Sequence, residues 1–156
     1  MEVNQNYKDL LRVFDQHQVR FLVAGGFAVM LYTEPYATKD LDVWVEPVDE
    51  NAVRVFKALA EFGAPLANAT VDDFVNPAHI YQIGAGYVRI DVLMNVAGLT
   101  FDEAWKRRNT VDFEGRPVPF LSREDLITAK RAAGRPRDLL QLKRLLRTSS
   151  KPPKPR

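Results

Sequence analysis

Three aspartates of this chain sit inside runs that read as strands, where apolar side chains are expected to be buried. Asp40 and Asp42 bracket Leu41 at the head of LDVWVE, and Asp91 lies between Ile90 and Val92 in VRIDV. Side chains alternate across a strand, so Asp40 and Asp42 project from one face, about 7 Å apart. Leu41 and Val43 then point the other way, into the core. If Asp91 occupies the neighbouring strand, three carboxylates meet on one patch. Like charges this close raise one another's pKa. A hard divalent cation with oxygen ligands removes that conflict, and Mg²⁺ (or Mn²⁺) combines a few carboxylates with substrate phosphates. The competing reading is a solvated strand face on which Lys39 or Arg89 pairs with the acids. It suits either acid alone, whereas the triplet favours a metal site.

Gly25 and Gly26 lie just upstream, after an apolar strand and before a helix. There the backbone can approach a ligand closely and the helix N-terminus offers N–H donors to phosphate. A tight strand-to-helix turn would need the same two residues. His17 reads as a surface residue, and His79 as a structural residue opening a strand near the acids. Trp44 shares the side of Asp42, and Tyr32 and Tyr36 precede the acids, so each could meet a nucleotide base or serve the core.

The elements that must position these groups follow from periodicity. Tyr7, Leu10, Leu11 and Phe14 keep helical spacing over 3–17, RFLVA at 20–24 is a short apolar strand, and FAVMLY is a buried helix stopped near Pro35. A strand at 41–46 precedes a helix over 49–63 with Val53, Phe56, Leu59 and Ala60 on one face. Thr70 opens a T-x-x-D start, and HIYQIG and YVRIDVLM are paired strands joined through Gly84, Ala85 and Gly86. Thr100 with Glu103, and Ser122 with Asp125, have the spacing of capping boxes. A brief strand at 117–120 and two closing helices, 123–133 and 137–147, complete the chain, with Gly134 and Pro136 between the helices. The fold class is α/β, an α+β sandwich: a small mixed sheet with helices packed against it.

Composition sets outer limits. At 46% hydrophobic and 27% charged, the sequence is that of a globular protein. Its 156 residues suit one domain, 1–147. The absence of cysteine excludes thiolate catalysis and Cys-based zinc sites. No apolar run reaches membrane-span length, and MEVNQNYKDL lacks a signal-peptide pattern, so the expected location is the cytoplasm, without membrane contact. The net charge is +2, but Lys151, Lys154 and Arg156 lie in a Ser/Pro/Lys tail, 148–156, whose composition predicts disorder. The body without that tail is not basic and shows no base-reading motif, which disfavours a simple nucleic-acid binder.

Together, VAGGFAVMLY, TKDLDVWV and VRIDVLM resemble the nucleotidyltransferase superfamily that shares the DNA polymerase β palm, over residues 20–95. LSREDLITAKRAAGRPRDLLQLKRL resembles the C-terminal signature of small bacterial nucleotidyltransferase-like proteins, the abortive-infection and toxin–antitoxin group among them. The resemblance implies that Asp40 and Asp42 hold metals bridging a nucleoside triphosphate such as ATP. It implies that Asp91 holds the second metal and orients or deprotonates an acceptor hydroxyl, and that Gly25 and Gly26 cradle phosphates. Lys130 would contact phosphate, and Asp138, in the segment begun by Arg135, would position that lysine or a nucleotide group. The implied reaction is in-line attack on the α-phosphorus with pyrophosphate leaving. The acceptor is a protein, RNA or small-molecule hydroxyl. The alternative is a catalytically inactive module that binds nucleotide or a partner protein in a toxin–antitoxin type system.

Overall fold

The computed structural model describes residues 4–34, 40–85 and 88–148. The first amphipathic segment forms α1 (Gln5–Gln16), capped by the Asn4 side chain, with Tyr7, Leu10, Leu11, Val13 and Phe14 buried. β1 (Phe21–Ala24) passes directly into α2 (Gly25–Tyr32), a helix apolar nearly all round and buried accordingly. β2 (Asp40–Val45) and α3 (Asp49–Phe62) follow, then a 3-10 turn (Val71–Val75), the hairpin β3 (Ile80–Ala85) and β4 (Val88–Leu93), and α4 (Phe101–Lys106). A second hairpin, β5 (Asn109–Phe113) and β6 (Arg116–Phe120), leads into α5 (Arg123–Ala133) and α6 (Pro136–Leu146).

The sheet is mixed and has six strands in the order β3-β4-β2-β1-β6-β5. β2 runs parallel to β4, and β1 parallel to β6, while the remaining neighbours are antiparallel. Alternation sorts the side chains into two faces. Leu41, Val43, Ile90 and Val92 are buried on one of them. On that side Tyr81 meets Phe74 of the 3-10 turn edge-on, and Phe21 meets Phe14 of α1. Asp40, Asp42, Trp44, Arg89 and Asp91 share the other face, where Trp44 packs edge-on against Phe101 of α4. Burying residues of the size of Trp44, Phe14, Phe74 and Phe120 contributes about 1.5–3 kcal/mol each. The acids are thus mounted on strands anchored from behind.

This is the mixed sheet with packed helices that the sequence predicts, with three differences of detail. β5 is an additional strand. Its burial alternates weakly, and the prolines 117 and 119 of its partner β6 mask the hairpin in the sequence; a Glu114-Gly115 turn with both residues at positive φ makes it. The buried face of α3 is Ala52, Val55, Ala58 and Leu59, with Phe56 beside them, so Val53 and Ala60 point to solvent. Thr100 starts α4 without a side-chain cap hydrogen bond. At Ser122 the cap does form, but Asp125 pairs with Arg107 rather than closing the box.

Candidate active site

Across the parallel pair β2·β4, Asp42 is directly opposite Asp91 and Asp40 is opposite Arg89. Residues in such register share a face. β1 ends at Ala24, opposite Asp42, so the first turn of α2 begins beside that carboxylate. Gly25 has φ of 64°, and a Cβ there would stand 2.0 Å from Asp42 Oδ2. Glycine is therefore required twice, by the left-handed backbone and by the carboxylate that fills the space of its missing side chain.

Arg89 ties the outer acids together. Its Nη2 donates to Asp40 Oδ2 at 2.9 Å and to Asp91 Oδ2 at 3.3 Å. Its Nε lies 3.2 Å from Asp91 Oδ1, but the two are misaligned and neither gains a hydrogen bond, although both are buried. Asp42 takes no part in this pairing. Burial, followed by repulsion from Asp91 and Asp40, pushes its carboxyl up to about 7, with Lys130 and Arg137 pulling against the rise. Burial also raises Asp91, opposed by Arg89.

Gly134 ends α5 in a left-handed conformation and Pro136 starts α6, so the second helix folds back on the first. That turn brings Asp138 against α5. Lys130 Nζ lies 3.3 Å from Asp138 Oδ1, and Arg135 Nε donates to Asp138 Oδ2 at 2.7 Å. Burial alone would raise Asp138, which is fully enclosed, but the bonds from Arg135 and Lys130 hold its carboxyl below the usual carboxylate range. Burial lowers Lys130, against the pull of Asp138. A cavity of about 350 Å³ opens between this helix pair and the sheet, and its lining includes Gly25, Asp42, Asp91, Lys130, Arg137 and Asp138 together with the apolar Ile80, Leu93 and Val96.

Residues 3–153 match the family described as nucleotidyl transferase of unknown function (DUF2204). The chain belongs to this family. No curated protein is detectably similar in sequence. Among solved structures, the lincosamide antibiotic adenylyltransferase LnuA bound to lincomycin superposes with a TM-score of 0.60 at 15% identity, over 94% of this chain and 98% of that one. An inferred nucleotidyltransferase from Thermotoga maritima gives 0.57 at 18% identity, over 93% and 95%. ANT(2")-Ia in complex with adenylyl-2"-tobramycin gives 0.53 at 12% identity, over 89% and 84%. At such identities the likeness is one of fold.

In this nucleotidyltransferase fold the residues singled out by sequence do not all gather at one point. Asp42, Asp91, Gly25, Lys130 and Asp138 border one cavity, and Gly26 follows Gly25 in the first turn of α2. Asp40 shares their face but is turned to Arg89, and among the described residues no group of three or more His, Asp or Glu side chains is disposed to hold a metal ion. The surface partner that a solvated-face reading required is thus present as Arg89. Trp44, 2% exposed, is a core residue with no face for a base. Buried Tyr32 is structural too: its hydroxyl donates to the Leu121 carbonyl and accepts from Asn109, each at 2.7 Å. His17 pairs with Glu61 at 3.2 Å, and His79 stands just before β3 and does not line the cavity. Tyr36 and Lys39 lie outside the described residues.

The sequence reading offers Arg89 only as a surface partner of the acids and gives Arg137 no individual role. Strand alternation places Arg89, two residues before Asp91, on the acid face, and the structure pairs it there with Asp40 and Asp91. Arg137 had no such signal, because its direction depends on how α6 folds back. It lines the cavity near Asp42 and forms no hydrogen bond or ion pair with any described residue, whereas Lys130 and Arg135 are both committed to Asp138.

Proposed function

We propose that the chain transfers a nucleoside monophosphate from a nucleoside triphosphate to an acceptor hydroxyl, with Mg²⁺ or Mn²⁺ held by Asp42 and Asp91 and, once it is released from Arg89, by Asp40. The supporting observation is the register of Asp42 against Asp91 beside a cavity that Lys130 and Arg137 also line. The donors fit a hard cation: Asp42 has no hydrogen bond from any described residue, and Asp91 Oδ1 is buried without one. A divalent ion bound there would offset the charge of the acids and of the triphosphate.

The chain's own groups supply positioning. Gly25 and Gly26 present the N-terminal amides of α2 to phosphate, and Lys130 and Arg137 face the acids as counter-charges for the polyphosphate. The acceptor oxygen forms a bond to the α-phosphorus, the bond from that phosphorus to the bridging oxygen breaks, and pyrophosphate leaves. The hydroxyl proton passes to the Asp91 carboxylate. The acceptor is a protein, an RNA or a small molecule met in the cytoplasm, and by analogy with the antibiotic adenylyltransferases a small hydroxyl-bearing molecule is the first class to try.

The test is incubation of the protein with each labelled nucleoside triphosphate, Mg²⁺ and a cell extract or a panel of hydroxyl compounds. Label transferred by the wild type and not by Asp42→Asn supports the reading, and equal transfer by both ends it. One observation favours the inactive, partner-binding alternative of toxin–antitoxin type: α6 exposes Leu139, Leu140 and Leu146. Nucleotide binding without transfer under every condition would select that alternative.

A further inference from the structure

We propose that Arg89 and a divalent cation are alternative counter-ions for the same carboxylates, so that Arg89 is a positioning residue that sets how readily the site takes up metal. The proposal rests on the metal-dependent reading above. Its basis is the split pairing of the guanidinium. A guanidinium fork is strongest when both arms serve one carboxylate. Here Nη2 serves Asp40 at 2.9 Å and Asp91 at 3.3 Å, while the Nε contact to Asp91 at 3.2 Å is misaligned. Neither acid receives a full fork, so either can be exchanged for a better ligand.

The surroundings allow that exchange. The Arg89 side chain is 37% exposed, and its neighbour in register on β3 is Gly84, which presents no side chain beside it. The guanidinium can therefore move off the acids without leaving a hole in the core. It also explains why three carboxylates on one face do not form a three-ligand set: Arg89 draws Asp40 away, and only Asp42 and Asp91 border the cavity. A cation bound to Asp42 and Asp91 places a second positive charge beside the guanidinium, which weakens metal binding until Arg89 lets go. Without Arg89, Asp40 would be released and the three acids would repel one another, a conflict that a bound cation relieves.

Mn²⁺ binding to the full-length chain, by calorimetry and by electron paramagnetic resonance of the free ion, tests this with and without a non-hydrolysable triphosphate analogue. Arg89→Gln is expected to bind Mn²⁺ alone about tenfold more tightly than the wild type. Its melting temperature should be lower with chelator and recover on adding Mn²⁺. Arg89→Lys, which keeps the charge, should stay near the wild type in both. Equal Mn²⁺ affinity in Arg89→Gln and the wild type, with binding seen in both, overturns the inference and leaves the metal reading standing. No Mn²⁺ binding by any chain, with or without nucleotide, overturns both.

Discussion

Asp42 is the residue on which chemistry and stability act in opposite directions. Its carboxyl sits at about 7 in the fold, above the ordinary aspartate value near 3.8, because burial and two neighbouring acids disfavour the charge. A proton held more tightly by the folded state stabilises the fold at low pH, and that contribution is lost as pH rises from about 4 through about 7. With chelator present, Asp42→Asn should therefore match the wild type near pH 4. At pH 8 it should be more stable by up to about 4 kcal/mol, while losing transfer. Urea unfolding at the two pH values checks this, and a variant less stable at pH 8 would contradict it. Lys130 behaves differently. The resemblance makes it a phosphate contact, but the structure also gives it a structural role, through its pair with buried Asp138. Lys130→Ala should lower stability by about 1–3 kcal/mol as well as weaken triphosphate binding. Arg137→Ala should weaken binding alone, since its guanidinium has no described partner to lose. Parallel melting curves and nucleotide titrations separate the two variants.

At the scale of elements, two junctions hold the site in shape. One is the loop-free passage from β1 into α2. Gly25→Ala there combines the left-handed backbone cost, about 1–2 kcal/mol, with a collision against Asp42. Gly63 at the end of α3 also has positive φ, but a Cβ there would meet nothing within 4 Å. Gly63→Ala thus carries the backbone cost alone, and the extra loss of stability and of transfer in Gly25→Ala measures the displacement of the carboxylate. The other junction is Asn51, buried on α3 and bonded to the residue before β1 and the residue after β2, at one end of that antiparallel pair. Its Oδ1 accepts from the Arg20 N–H at 2.8 Å, and its Nδ2 donates to the carbonyls of Arg20 and Glu46, each at 2.9 Å. Asn51→Ala leaves one backbone donor and two acceptors without that partner and should cost about 3 kcal/mol in denaturant unfolding. A change near zero would mean that water replaces the amide.

For the whole molecule, the question is where the folded unit ends. Arg123 Nη2 donates to the carbonyls of Leu145 at 2.6 Å and Thr148 at 3.2 Å, so the anchored chain extends at least to Thr148. Residues 149–156 lie outside the described structure, and their Ser, Pro, Lys and Arg composition offers little apolar surface to bury. Truncation after Thr148 should shift the melting temperature by less than about 2 °C and leave nucleotide affinity unchanged. A larger drop would show that the tail docks on the body.

Alternation, helical periodicity and capping spacing are local properties, and they were enough to place Asp40 and Asp42 on one strand face, to start α2 after Ala24 and to find the six helices of the described residues. The bridging role of Asn51 had no counterpart in the sequence pattern, because an asparagine inside a helix looks polar until its distant partners are known. β5 escaped for a related reason: an edge strand buries little, and its partner carries two prolines. What only the tertiary structure decided was pairing across distance. The parallel register of β2 and β4 puts Asp42 opposite Asp91 rather than one residue out of step, which would have sent Asp91 to the core face. The fold-back of α6 encloses Asp138 between Lys130 and Arg135 and leaves Arg137 to face the acids. Arg89 answers two of the three carboxylates, and that split follows from distances among side chains, which spacing along the chain does not encode.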